Sequence, residues 1–250
     1  MNNKDEFIQK SHVARLVRGM DHDSFLHVFF PGLEAVFKKA EDKRVQHAAD
    51  AGSDFSLGNG KIGPLVPLAQ TREDGDTNGA RDYVRNVLAL DYKSYRNPDA
   101  YLERNMYLLW QVPESTYFES LEEGMRDLDS LLYRNSQPEG VEQPEDVLQQ
   151  PSELAAKLLD LLLRIEDTKW SRDHIDGQVT PFIKSIFSKP KASPPSSDQA
   201  WGYHFLRWAL AGLRPGPALI PTLELLGKKE TVRRVEQAMD VARRWEKSRA

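Results

Sequence analysis

Two short segments concentrate titratable side chains. Asp21-His22-Asp23, with His27 a turn further on, supplies the carboxylates and imidazoles of a metal ligand set or an acid–base pair. Asp173-His174-Ile175-Asp176-Gly177 does so again, and a histidine flanked by carboxylates is held charged or oriented as a base. His22, Asp23, His174 and Asp176 therefore define one reading of the chain, a metal- or acid/base-assisted hydrolase. The spacings do not complete it. A metal phosphohydrolase of the His-Asp type needs further histidines and an aspartate from separate helices, and His12 and His47 match no such pattern. Asp21 and Asp23 precede a helix that begins near Ser24, whose exposed N–H groups short carboxylates can accept. Residues 173–177 read as a helix-ending turn. Capping and turn formation account for both segments better than catalysis does.

The remaining motifs are weaker. Gly58-Asn59-Gly60-Lys61-Ile62-Gly63 lacks the spacing of a phosphate loop, has Ile62 where Ser or Thr is required, and meets Pro64 at once. Gly-x-Ser-x-Gly and His-Glu-x-x-His are both missing, and without cysteine there is no thiol nucleophile, disulfide or thiolate zinc site. Neither a metal nor a cofactor is expected.

Aromatic and charged residues offer a binding surface instead. Tyr92, Tyr95 and Tyr101 surround the Arg96-Asn97-Pro98 turn, and tyrosine and arginine are favoured at binding hot spots. Net charge is −4, but it is unevenly spread. Residues 114–167 hold fourteen acidic side chains against four basic, whereas 168–250 hold fifteen basic against eight acidic. Either these halves neutralise one another internally, or an acidic face that includes Glu119, Glu122 and Glu123 meets a basic partner. A third reading uses Arg233, Arg234, Arg243 and Arg244 to bind nucleic acid. Glu230, Glu236, Asp240 and Glu246 interrupt them, however, Glu230 can pair with Arg234 and Asp240 with Arg244 within the helix, and no zinc finger, RNP-like run or helix-turn-helix signature is present.

Positioning these residues is the work of helices. Apolar side chains recur at spacings of three and four in 4–18, 80–96, 99–111, 114–134, from Ser152 to Ile165, and in three stretches from Trp201 to Arg249. Pro31 opens a helix or kinks a longer one, and Pro181 sits at the first position of a short one. Six of the fifteen glycines fall between 52 and 79, a long irregular stretch with two prolines that argue against a central strand. The fold expected is mostly α, a multi-helix globular bundle of about nine to ten helices. It divides into 1–190, with the irregular insertion, and a C-terminal helical subdomain, 199–250, packed on it across a proline-rich linker, unless 1–250 is a single domain.

No stretch approaches the length of a membrane span, and the N-terminal MNNKDEFIQK is no secretory signal, so a soluble, cytoplasmic protein is expected. The leading expectation for function is a non-enzymatic protein-interaction module, an immunity- or antitoxin-like inhibitor of a basic toxin or effector. Its contact residues would be Tyr92, Tyr95, Arg96, Tyr101, Glu119, Glu122 and Glu123, with nucleic acid not expected as the partner.

Overall fold

Asp21 shows how local chemistry sets an element boundary. Its Oδ1 accepts the Ser24 N–H at 2.8 Å and its Oδ2 the Ser24 hydroxyl at 2.9 Å, which caps the helix that starts at His22. These bonds from Ser24 hold the Asp21 carboxyl below its ordinary pKa. The structure is a computed structural model describing residues 13–50, 55–56, 61–62, 77–121, 150–186 and 198–249. It is mostly α, as the periodicity requires. Helix α1 covers 13–18 and ends at Gly19, followed by α2 (His22–Asp50), α3 (Thr77–Leu90), α4 (Pro98–Leu109) and α5 (114–121). Further on lie α6 (Pro151–Arg164), α7 (Arg172–Ile186), α8 (Asp198–Ala211) and α9 (Leu219–Arg249), the last broken at Gly227. Phe55–Ser56 and Lys61–Ile62 form a two-residue antiparallel pair, with Phe55 opposite Ile62. The rest of the irregular stretch as far as Asp76, and most of the proline-rich linker, lie outside the described residues. No described helix is long and apolar enough to cross a membrane.

The chain divides into two compact units. Unit 1 comprises residues 1–111 and 215–225. Its core stripe on α2 runs Leu26, Phe30, Leu33, Phe37, with Phe25 beside it. Pro31 lies inside this helix. Burying each large apolar side chain contributes about 1.5–3 kcal/mol, so the stripe outweighs the ~3 kcal/mol cost of an interior proline. His27 and Pro31 are both on the solvent side, where water can satisfy the carbonyl that proline leaves unpaired. Tyr83 of α3 donates to the Leu108 carbonyl at 2.7 Å, satisfying one of the orphan acceptors in the last turn of α4. Asn97 caps α4: its side chain accepts the Ala100 N–H at 2.9 Å, with Pro98 at the first helical position. Arg104 ties the chain after α3 to 215–225, donating to Asp91 at 2.6 Å and to the Gly216 carbonyl at 3.3 Å.

Unit 2 comprises residues 112–214 and 226–250. Leu154, Ala155, Leu158, Leu162 and Ile165 form the buried face of α6. Leu163 is 53% exposed, so this helix is amphipathic and not enclosed on all sides as its leucine content suggests. Segment 173–177 is not a turn but the opening of α7, and Pro181 lies within that helix instead of starting it. The reason is the stripe Ile175, Val179, Ile183, fully buried or nearly so, which continues through the proline. Gly177, whose carbonyl Pro181 cannot satisfy, is exposed. Trp208 of α8 donates its indole N–H to the Tyr117 carbonyl at 3.1 Å, fastening α8 to α5. Helix α8 ends as Gly212 enters the left-handed region (φ 56°) while its N–H bonds the Trp208 carbonyl.

Candidate nucleic-acid interface

The part of α9 after Gly227 carries eight of the nineteen lysines and arginines of unit 2. Gly227 adopts φ 75°, ψ 165°, a conformation open to glycine at no steric cost, and it separates this helix from the turns before it. Val235, Ala238, Val241, Ala242 and Trp245 face the core. Three further contacts fix the helix. Lys228 Nζ donates to the Ile165 carbonyl at 2.6 Å and to Asp167 at 2.8 Å, placing a cation on the C-terminal end of α6 where the helix dipole favours one. Glu246 accepts the Ser152 N–H at 2.9 Å and the Ser152 hydroxyl at 2.6 Å, so a side chain of α9 caps the start of α6. The third contact is a charge cluster.

In that cluster Glu230 takes two bonds from Arg233, both 2.7 Å, and one of 2.7 Å from Arg234. Arg234 is fully buried and also donates to the Leu210 carbonyl at 2.9 Å. Arg233 reaches Gln237 at 3.1 Å and retains 35% exposure. Burial pushes the Glu230 carboxyl up, but the bonds from Arg233 and the charges of both guanidiniums outweigh it and hold the carboxyl below its usual 4.5. Burial likewise opposes the charge on Arg233, and Glu230 overcomes it. The Tyr117 phenol nearby is pushed up to about 12 by burial. A carboxyl depressed in the folded state contributes stability that is complete above its unfolded pKa and is lost as pH falls through the folded value. Urea unfolding should therefore show stability declining below about pH 4.5, with a shallower decline in Glu230→Gln. An equally steep decline in that variant would show that Glu230 binds protons alike in both states.

Arg243, Arg244 and Lys247 occupy the opposite, solvent side of α9. Arg243 is 53% exposed and lies 3.6 Å from Asp240, and Arg244, 58% exposed, pairs with Glu114. Lys247 is exposed as well. Charges from the acidic middle of the sequence thus meet bases of the C-terminal third directly, as Glu114 with Arg244 and Asp167 with Lys228. Others pair locally, as Asp160 with Arg164 and Glu166 with Lys169. Internal neutralisation accounts for these four carboxylates without a basic partner.

The sequence-derived candidates fall differently. Tyr95 and Tyr101 are buried against Phe25, with ring centroids 5.5 and 6.3 Å away. Burial raises the phenol pKa of both. Tyr92 is half-buried, its ring 5.3 Å from that of Phe25 and its hydroxyl 3.4 Å from the Met20 carbonyl. Arg96 folds back onto the Tyr95 carbonyl at 2.9 Å. Glu119 is exposed on α5, and Glu122 and Glu123 lie outside the described residues. Of the proposed nucleic-acid set, Arg234 belongs to the interior, Arg233 is held by Glu230, and Arg243 and Arg244 reach solvent. Lys247, another basic residue of the same helix, is exposed beside them. For the hydrolase set, His22 Nδ1 stands 3.3 Å from Asp23 on the surface, and Asp176 accepts from Thr180 at 2.6 Å. Among the described residues no three His, Asp or Glu side chains are grouped as metal ligands.

A family model described as an anticodon binding domain matches residues 129–239. The chain is also 31% identical over 108 residues to glutamate–tRNA ligase 2 of Anaplasma marginale (strain St. Maries), covering 43% of this chain. That span is 21% of the ligase, so the matched region represents about a fifth of the relative's length. No solved structure matches. These similarities overturn the expectation of an immunity- or antitoxin-like inhibitor that binds a basic protein, and with it the expectation that nucleic acid is not the partner. Short motifs gave no signal of this similarity, which is spread over residues 129–239. Over residues 129–239 the chain is similar to an anticodon binding domain, and over 108 residues it is similar to part of a tRNA ligase.

Proposed function

We propose that the protein binds RNA of the tRNA class through its helical C-terminal half. The observation that carries this reading is the match of an anticodon binding domain model to residues 129–239. The similarity to a glutamate–tRNA ligase and the excess of basic over acidic residues after Thr168 support it. Phosphate neutralisation by Lys and Arg supplies most of the affinity of such proteins and makes it salt-dependent.

Fluorescence anisotropy with labelled tRNA tests the reading. Saturable binding is expected that weakens linearly on a log–log plot as salt rises, by about 0.7–0.9 in slope per phosphate contacted. No binding at low salt would overturn it. Equal competition by duplex DNA of the same length would reduce it to general polyanion attraction.

A further inference from the structure

We infer that Arg243, Arg244 and Lys247 form a phosphate-contacting face for the same RNA, lying beyond residue 239 where the matched segment ends. The inference rests on the RNA-binding reading. Three observations carry it. First, these cations lie at positions i, i+1 and i+4 of one helix, so they share a single turn of its surface, and all three are exposed. Second, Glu246 is the one acidic residue between 241 and 249, and its carboxylate is engaged with the Ser152 N–H and hydroxyl. Third, the two carboxylates beside them, Asp240 and Glu114, are themselves 63% and 52% exposed. Exposed ion pairs are weak and screened by salt, so a phosphate can replace either partner.

The helix dipole also favours cations in a last turn, but that preference asks nothing of their grouping on one face. A lipid surface suits the helix less well than RNA does. An interfacial helix needs an apolar face to insert, and Val241, Ala242 and Trp245 are buried in unit 2. Trp245 is covered in addition by Arg249, whose guanidinium lies 4.4 Å from the ring centroid.

The test compares full-length wild type with Arg243→Gln/Lys247→Gln and with Asp240→Asn in the tRNA anisotropy titration. The double variant should bind about tenfold more weakly at 0.1 M salt, with its salt slope reduced by about 1.5, the share of two phosphate contacts. Asp240→Asn should bind more tightly, since it removes the carboxylate beside Arg243. The charge-conserving Arg243→Lys/Lys247→Arg variant should retain wild-type affinity. If wild type binds tRNA and the double variant binds equally well with the same slope, the face is wrong and the RNA reading stands. If wild type itself does not bind, the RNA reading fails and takes the face with it. Loss of binding in the charge-conserving variant, or weaker binding by Asp240→Asn, would also overturn the face. Wild type that ignores tRNA but adheres to phosphatidylserine vesicles would reassign it to lipid.

Discussion

Arg234→Met is expected to destabilise the protein by about 3 kcal/mol, the lower bound for breaking one side of a buried ion pair. Arg234 is fully buried, so methionine can fill much of its volume, and the loss is electrostatic more than steric. Two groups are left short. The Leu210 carbonyl loses a donor, and Glu230, itself only 14% exposed, loses one of its two guanidiniums. The value lies at the lower bound because Arg233 still holds Glu230 with two bonds. The double variant Arg234→Met/Glu230→Leu should recover part of the loss, since removing a buried carboxylate together with its partner is often neutral or better. Urea unfolding of the four members of this double-mutant cycle gives the coupling directly. A coupling near zero would mean that Arg234 acts through packing and the Leu210 carbonyl, not through Glu230.

Two glycines provide the second expected result. Gly177 and Gly202 both lie inside helices, α7 and α8, where alanine is favoured over glycine by up to about 1 kcal/mol. Gly177 has nothing within 4 Å of an added methyl group, so Gly177→Ala should stabilise by close to that amount. Gly202→Ala should destabilise by about 1–3 kcal/mol. Its methyl group would collide with the Cγ2 methyl of Ile183 and stand 3.2 Å from the Ile183 carbonyl. Ile183 is β-branched in a helix and nearly fully buried, so its side chain has no second rotamer to move into. Opposite signs for two chemically identical substitutions, read as shifts in urea midpoint, would establish that α7 and α8 cross closely at this glycine. Stabilisation by both would show that the crossing is looser than the structure gives it.

The periodicity of apolar residues settled the fold class and most element positions. The stripes on α2, α4, α6 and α9 are written at spacings of three and four, and burial of those side chains is what makes a helix stable in a protein. The cap at Asp21 was legible for the same local reason, since an N-cap bond spans only three residues. Prolines were less legible. Neither Pro31 nor Pro181 ended its helix, because the cost of one missing hydrogen bond is local whereas the gain from a continuous buried stripe depends on what packs against it. Function was the least legible. The hydrolase, inhibitor and nucleic-acid readings all rested on clusters in sequence, and similarity to an anticodon binding domain overturned the inhibitor.

The cations of α9 show where local information stops. Sequence by itself determined that 229–249 is a helix with an apolar stripe and an excess of basic side chains. It could not rank those cations, because arginine 233, 234, 243 and 244 differ in sequence only by register. Tertiary structure ranked them: Arg234 is tied inside to the Leu210 carbonyl, and Lys228 is spent on the end of α6. Arg243, Arg244 and Lys247 remain facing water. Whether a guanidinium is a structural tie or a phosphate ligand depends on the acceptors that distant segments bring within 3 Å of it. Those distances are set by how helices pack, which no local spacing encodes.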